Sequence, residues 1–241
     1  MAKIIKKFLK SVEDVLYPDI PRCVKCGKDL LDGYFCEKCI KDFHENVGNR
    51  CANCSRPTVS QDDVVCESCK TQSNVFDKAF SPIIYKGTAL ALLLAFKYNE
   101  RRDLGKFFVD YMEKEYEKVP DIDFILPVPM WRGKEKDRVY STAHELGELL
   151  SKRVDKPIKC DLVEKIRDTG TQTSLSREER QENVKGCFSV LDKKEIKNKK
   201  ILIVDDVYTT GATANELARV LKKAKADKIY VLTATIATSD K

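Results

Sequence analysis

Eight cysteines stand in four Cys-x2-Cys pairs: Cys23/Cys26, Cys36/Cys39, Cys51/Cys54 and Cys66/Cys69. Such a turn aims two thiolates and neighbouring backbone N–H groups at one cation, and two turns together complete a tetrahedral site. Nine residues separate the pairs of the first foursome and eleven those of the second, and the pattern repeats after 28 to 30 residues. Gly27 follows its pair directly, where a positive φ suits the turn. The chemistry expected is two structural Zn2+ ions, each closed by four thiolates with no open position for catalysis. Sequential pairing (23/26 with 36/39, 51/54 with 66/69) is favoured by the repeat, and an interleaved arrangement (23/26 with 51/54) is the alternative. Cys160 and Cys187 have no neighbour at ligand spacing and read as small buried or half-buried residues. His44 and His144 read as surface residues, since the ligand sets are complete without them.

A second chemical segment runs Ile201-Leu202-Ile203-Val204-Asp205-Asp206-Val207-Tyr208-Thr209-Thr210-Gly211-Ala212-Thr213. Four aliphatic residues in a row predict a buried parallel strand. A helix is expected over Ala214 to Lys225, with Leu217, Val220, Leu221 and Ala224 on one face. Strand, loop and helix in this order place a ligand outside the carboxyl end of a sheet. Small residues at 209–213 let consecutive N–H groups approach a phosphate, and the hydroxyls of Thr209, Thr210 and Thr213 add donors. Asp205 and Asp206 would repel that phosphate, so their task is to accept hydrogen bonds from two ribose hydroxyls and to help hold Mg2+ indirectly. A ribose 5-phosphate fits these residue types. No Gly-Lys-Thr follows, which disfavours a P-loop nucleotidase.

Two regions must position these groups. The chain has 241 residues, 42% of them hydrophobic, enough for a sizeable core. The longest apolar run, Ala89–Phe96, is eight residues, against about 20 for a membrane span. The N-terminus has helically spaced apolar residues and no signal-peptide pattern, so a cytoplasmic address is expected, where paired cysteines hold metal. All eight patterned cysteines lie between residues 23 and 69. Residues 1–78 carry 13 basic and 12 acidic side chains, whereas 79–241 carry 31 and 26, so the formal charge of +6 lies mostly on the second part. This divides the chain into a module over 1–75, an N-terminal helix and double zinc ribbon, and an α/β domain over 76–241. In the latter, Asp123–Pro129 reads as a strand entering a rigid Pro-Val-Pro turn. Residues 165–183 read as a mobile Thr/Ser-rich loop followed by a short helix.

The segment Ile201–Thr213 resembles the phosphoribosyl-pyrophosphate (PRPP) motif of type I phosphoribosyltransferases at all thirteen positions. Together with the doubled knuckles, Pro127-Val128-Pro129, and the Arg167-x-Thr-x-x-Gln-x-x-Leu to Arg180-x-x-Asn183 stretch, it resembles the ComF family across nearly the whole chain, from Leu16-Tyr17-Pro18 onward. These are double-zinc-ribbon, phosphoribosyltransferase-like proteins associated with bacterial competence for DNA uptake. The resemblance implies a type I phosphoribosyltransferase fold, a parallel sheet with helices on both faces. It also implies PRPP bound with Mg2+, residues 127–138 flanking the pyrophosphate and 166–183 closing over it. Lys97, Arg132, Arg138 and Arg167 become the pyrophosphate candidates, with Arg138 and Arg167 the candidates for catalysis; Lys97-Tyr98 matches a family Lys-Tyr. Where the family shows Arg-Gly-Phe/Tyr-Asn-Gln, this chain has Arg138-Val139-Tyr140-Ser141-Thr142.

Two functions are compatible with these features. One is transfer of a phosphoribosyl group to a nitrogen acceptor. The other is a catalytically silent, PRPP-sensing accessory that binds single-stranded DNA and DNA-uptake proteins. For the latter, Lys193, Lys194, Lys197, Lys199 and Lys200 and the face Lys222, Lys223, Lys225 and Lys228 are the phosphate-contacting candidates.

Overall fold

The computed structural model describes residues 21–59, 64–131, 133, 140–170 and 176–238. The N-terminal helix, the Leu16-Tyr17-Pro18 approach, Arg132, Arg138, Val139 and the loop segment 171–175 lie outside the described residues. The chain divides into two compact units between Phe43 and His44.

In the first unit Cys23 N–H donates to the Lys28 carbonyl at 2.8 Å and Gly27 N–H to the Cys23 carbonyl at 2.8 Å. These two bonds make the knuckle turn, and Gly27 sits at φ 73° as the turn requires. The second pair opens a short helix, α1 (Glu37–Ile40). Cys23, Cys36 and Cys39 form a small core with Leu30 and Phe35, and Phe35 stacks on Phe43 at 5.8 Å between centroids.

The second unit repeats this grammar. Cys51 N–H reaches the Arg56 carbonyl at 2.7 Å, and helix α2 (Glu67–Thr71) follows Cys66. Next come β1 (Lys78–Phe80), β2 (Ile83–Ile84), α3 (Gly87–Tyr98), α4 (Leu104–Tyr116), β3 (Phe124–Pro127), α5 (Thr142–Val154), β4 (Val163–Lys165), α6 (Arg177–Val184), β5 (Phe188–Val190), β6 (Lys200–Tyr208), α7 (Ala212–Lys223) and β7 (Lys228–Ile236). The main sheet runs β1-β7-β6-β3, with β2 continuing along β7 beyond β1, and every pairing in it is parallel. β4 and β5 form a separate antiparallel pair.

Period-two alternation assigns the sheet faces. Ile201 and Ile203 pack in one core with Leu217 and Leu221 of α7. Leu202 and Val204 are fully buried on the opposite face, the side of β6 available to α5, which contacts that strand. The expected strand at 201–204 is thus the first half of a longer one, and the helix begins at Ala212, two residues before the expected Ala214. A boundary at residue 75 follows composition, whereas contacts divide the chain at 43/44. The reason is packing: Cys51 and Cys54 share a core with Phe76, Tyr208 and Leu217. Among the described residues no helix is long and apolar enough to cross a membrane.

Helix α5 approaches the Pro-Val-Pro turn closely because it has no side chain at Gly147. A Cβ there would come within 2.8 Å of Pro127 Cγ and 3.1 Å of Ile158 Cδ1. Alanine ordinarily stabilises a helix interior by about 1 kcal/mol relative to glycine. Here overpacking against a stiff ring outweighs that gain. Gly147→Ala is expected to lower stability in urea denaturation by about 1–3 kcal/mol.

Candidate functional site

The cysteines gather into two groups, Cys23/Cys26/Cys36/Cys39 and Cys51/Cys54/Cys66/Cys69, each with all sulfurs within 4.8 Å of one another. Pairing is therefore sequential and not interleaved. A tetrahedron with Zn–S arms of about 2.3 Å sets sulfurs about 3.8 Å apart. Cys26 and Cys36 sulfurs are 3.8 Å apart, and those of Cys54 and Cys66 are 3.6 Å apart. Disulfides would need about 2.05 Å. Burial opposes ionisation of Cys51, but the backbone N–H groups of Cys66, Cys54 and Asn53 outweigh it and hold the thiol down at about 7. The donor set fits two structural zinc ions. Cys187 is buried as expected, whereas Cys160 is exposed; neither belongs to a four-cysteine group. His44 and His144, expected at the surface, are half-buried.

At the carboxyl end of β6 the two acids part company. Neighbouring residues of a strand point to opposite faces, so Asp206 goes with Leu202 and Val204 and Asp205 with Ile201 and Ile203. Asp206 is buried. Its Oδ1 meets Lys97 Nζ of α3 at 2.9 Å, and its Oδ2 accepts the Thr142 hydroxyl of α5 at 2.5 Å. Burial works against the charge on Lys97, but Asp206 overcomes it, and the ammonium's pKa lies above its ordinary value. Asp205 instead lines a cleft with Val128, Thr209, Gly211, Ala212 and Thr213. Burial, and secondarily the charge of Asp206, push its carboxyl up to about 7; Lys97 and Lys165 pull the other way.

The loop after the acids turns at Gly211, φ 79°. A Cβ there would collide with the Tyr208 hydroxyl, so glycine is required by space as well as by conformation. Ala212 N–H donates to Thr210 Oγ1 at 3.3 Å, and α7 starts with its N-terminus at the cleft, a setting that favours an anion. The carbonyl side of the loop is held from outside: Arg56 Nη2 donates to the Thr209 carbonyl at 2.7 Å, and Asn215 Nδ2 to the Gly211 carbonyl at 3.1 Å.

The other expected residues fall differently. Lys97 holds Asp206. Arg167 donates to the carbonyls of Asn183 and Lys185, each at 2.8 Å, so its guanidinium fastens the two ends of the 166–185 segment together. Asn183 in turn donates to the Thr169 carbonyl at 2.5 Å. Helix α6 is secured by a capping box between Ser176 and Glu179. Of the two residues that depart from the family pattern within the described region, Ser141 caps α5 by accepting from His144 N–H, and Thr142 supports Asp206. The two lysine clusters meet at the opposite end of the strands. Asn198 N–H donates to the Lys225 carbonyl and Asp227 N–H to that of Lys199, both at 2.9 Å. Lys199 pairs with Asp123, and Lys222 and Lys228 with Asp77, which reduces the charge they present.

Compared with known families, residues 12–70 match the double zinc ribbon domain and 140–240 the phosphoribosyl transferase domain. The chain is 27% identical over 218 residues to competence protein F of Haemophilus influenzae, covering 87% of each. It is 26% identical over 212 residues to competence protein ComFC of Bacillus subtilis, covering 84% of each. It is 23% identical over 217 residues to the DNA utilization protein YhgH of Salmonella typhi, covering 87% of this chain and 94% of that one. Among solved structures, glutamine PRPP amidotransferase from B. subtilis superimposes with a TM-score of 0.36 at 19% identity, over 57% of this chain and 26% of that one.

Elemental analysis of the purified protein is expected to give two zinc ions per chain, and Cys54→Ser to remove one of them. A second expectation concerns Asp205, whose folded pKa lies above that of an unfolded aspartate. Its contribution to stability is full at low pH and is lost as pH rises from about 4 through 7. Asp205→Asn removes that loss. The variant is expected to melt about 2–4 °C or more above the parent at pH 8, and together with it below pH 4, by calorimetry.

Proposed function

For a chain that belongs to the ComF family, a double zinc ribbon joined to a phosphoribosyltransferase domain, we propose that it binds PRPP with Mg2+ and transfers the phosphoribosyl group to a nitrogen acceptor in the service of DNA uptake. The observation that carries this is the split acid pair above a glycine-turned loop at a helix N-terminus. One acid is neutralised by Lys97 and the other lines the cleft with the loop residues. Asp205 accepts from the ribose hydroxyls, and the N–H groups and hydroxyls of residues 209–213 hold the 5-phosphate. Mg2+, when bound, would supply charge neutralisation at the pyrophosphate leaving group. Asp205, the acid that lines the cleft, would hold the ion through water, and the ion's charge would keep Asp205 ionised, while Asp206 stays committed to Lys97 and Thr142.

In the transfer, the bond from ribose C1 to pyrophosphate breaks, the leaving group takes the electron pair, and the acceptor nitrogen closes on C1. Lys97 and Thr142 act through Asp206, fixing the strand end from which Asp205 addresses the sugar. Arg167 ties the start of the 166–185 segment to the carbonyls of Asn183 and Lys185 near its end. Arg132 and Arg138 are the remaining proposed partners of the pyrophosphate. The thiolate sites call for a compartment where thiols stay reduced, the cytoplasm on this reading.

A second reading, a PRPP-sensing accessory contacting single-stranded DNA, draws on the joining of the two lysine clusters and on the names of the relatives. Both readings need the PRPP site. In isothermal titration with PRPP and Mg2+ the wild-type chain is expected to bind, and the Asp205→Asn/Asp206→Asn double variant to bind at least tenfold more weakly. A wild-type chain that takes up no PRPP overturns the proposal. Pyrophosphate release on adding acceptor bases separates transferase from sensor.

A further inference from the structure

The second zinc ribbon is built into the wall of the phosphate loop. Two side chains reach the loop's carbonyls from that side. Arg56, two residues beyond the Cys51/Cys54 knuckle, donates to the Thr209 carbonyl at 2.7 Å. Asn215, on the first turn of α7, donates to the Gly211 carbonyl at 3.1 Å and, through the same nitrogen, to Asn74 Oδ1 at 3.1 Å. Val75 N–H donates to Asn215 Oδ1 at 2.7 Å, which settles the orientation of that amide. Asn74 Nδ2 completes the relay by donating to Cys69 Sγ at 3.4 Å. Hydrogen bonds thus run without a break from a cysteine sulfur of the second four-cysteine site to the carbonyl of the loop glycine. Phe76 packs edge-on to Tyr208 alongside, at 6.2 Å between centroids. Gln181 of α6 donates to Gln72 Oε1 at 2.6 Å, so the ribbon also touches the helix that ends the 166–185 segment.

These contacts bear on N–H direction. A trans peptide is planar, with its C=O and N–H pointing opposite ways. Holding the Thr209 carbonyl outward turns the Thr210 N–H toward the cleft. The Gly211 carbonyl takes the first-turn bond from Asn215 N–H at 2.8 Å, to which the Asn215 side chain adds a second hold, and the Ala212 N–H is spent within the loop on Thr210 Oγ1. An anion site made of backbone donors is only as good as their fixed aim. Partners behind a metal's ligands, here Asn74 on Cys69, orient the ligand and are in turn oriented by it.

From this we infer that Arg56 and Asn215 are positioning residues for the phosphate loop, and that the second four-cysteine site, through Cys69 and Asn74, is the anchor from which Asn215 works. The site's metal then serves ligand affinity in the cleft as well as stability of the ribbon. The inference rests on the phosphate reading of the loop given above.

The test uses the full chain with zinc content verified, in Arg56→Ala, Asn215→Ala and Asn74→Ala variants. Hydrogen exchange of amides 209–213 is expected to quicken at least tenfold, while strands β6 up to Val204 and β7 keep wild-type exchange. Arg56→Lys, which keeps a donor, is expected to restore slow exchange in part. Affinity for ribose 5-phosphate is expected to fall roughly tenfold for Arg56→Ala, where the donor is charged, and roughly three- to tenfold for the two asparagines. Loop exchange that stays at the wild-type rate, or that rises equally across the whole sheet, overturns the inference whether or not ribose 5-phosphate binds. A wild-type chain that binds neither ribose 5-phosphate nor PRPP overturns the phosphate reading instead, and the exchange data separate the two failures. If zinc is lost from one alanine variant, the other two and Arg56→Lys decide between these outcomes.

Discussion

Two adjacent carboxylates at the end of a buried strand repel each other, and neither is easily taken out of water. Much of the second unit is arranged around that constraint. The strand's own geometry separates the acids onto opposite faces, and the helices on one face then supply Asp206 with an ammonium and a hydroxyl. Once Asp206 is paired, the repulsion remaining for Asp205 is tempered by Lys97 and Lys165. The pair ends up unequal: one acid is a fixed, charged structural element, and the other titrates near neutrality beside the loop. Hydroxyl donors or a cation placed against Asp205 would offset the cost of keeping it ionised.

The two ribbons also differ in what they pack against. The first closes on itself, its cysteines packed with Leu30 and Phe35. The second shares the main core with Phe76 and Tyr208 and is fastened at several further points. Arg50 pairs with the buried Glu115 of α4 at 2.8 Å. Asn46 donates to the carbonyls of Ser55 and Ser81, both at 2.7 Å, and Ala79 N–H reaches the Asn53 carbonyl at 2.8 Å. A foursome of thiolates is rigid once it holds a metal. Rigidity is what a loop of small residues lacks by itself, and here the second ribbon and the loop lie against each other.

Local grammar was legible in the amino-acid sequence, and long-range pairing was not. The knuckles, the strand of β6 and the Thr-Thr-Gly turn are each written in a few consecutive residues, so spacing and residue type suffice to recognise them. The partner of Asp206 lies 109 positions upstream at Lys97, and Arg56 meets a carbonyl 153 positions away. No period or motif encodes such meetings; they follow from which helix covers which face. Composition likewise drew a boundary after the last patterned cysteine because it registers residue types, whereas packing divides the chain between its two ribbons. The lysine clusters around 193–200 and 222–228 read as separate runs, yet parallel neighbours β6 and β7 start side by side and bring them together.

The departures from the family pattern show how much a substitution's meaning depends on these meetings. Ser141 and Thr142 stand where the family pattern has Asn-Gln. In the fold, Ser141 ends the loop by capping α5, and Thr142 hands its hydroxyl to Asp206. Tyr140, the aromatic that keeps to the family pattern, hydrogen-bonds to the Phe96 carbonyl and lies beneath Arg102, 4.6 Å from the ring centroid. Phe96 immediately precedes Lys97. The segment therefore steadies, from one side, both the acid and the lysine that balances it. Arg167 makes a similar point from the other side, since its guanidinium donates to the backbone of its own segment. What these residues give the cleft is support, for the charge pair of Asp206 and Lys97 on one side and for the backbone of the 166–185 segment on the other.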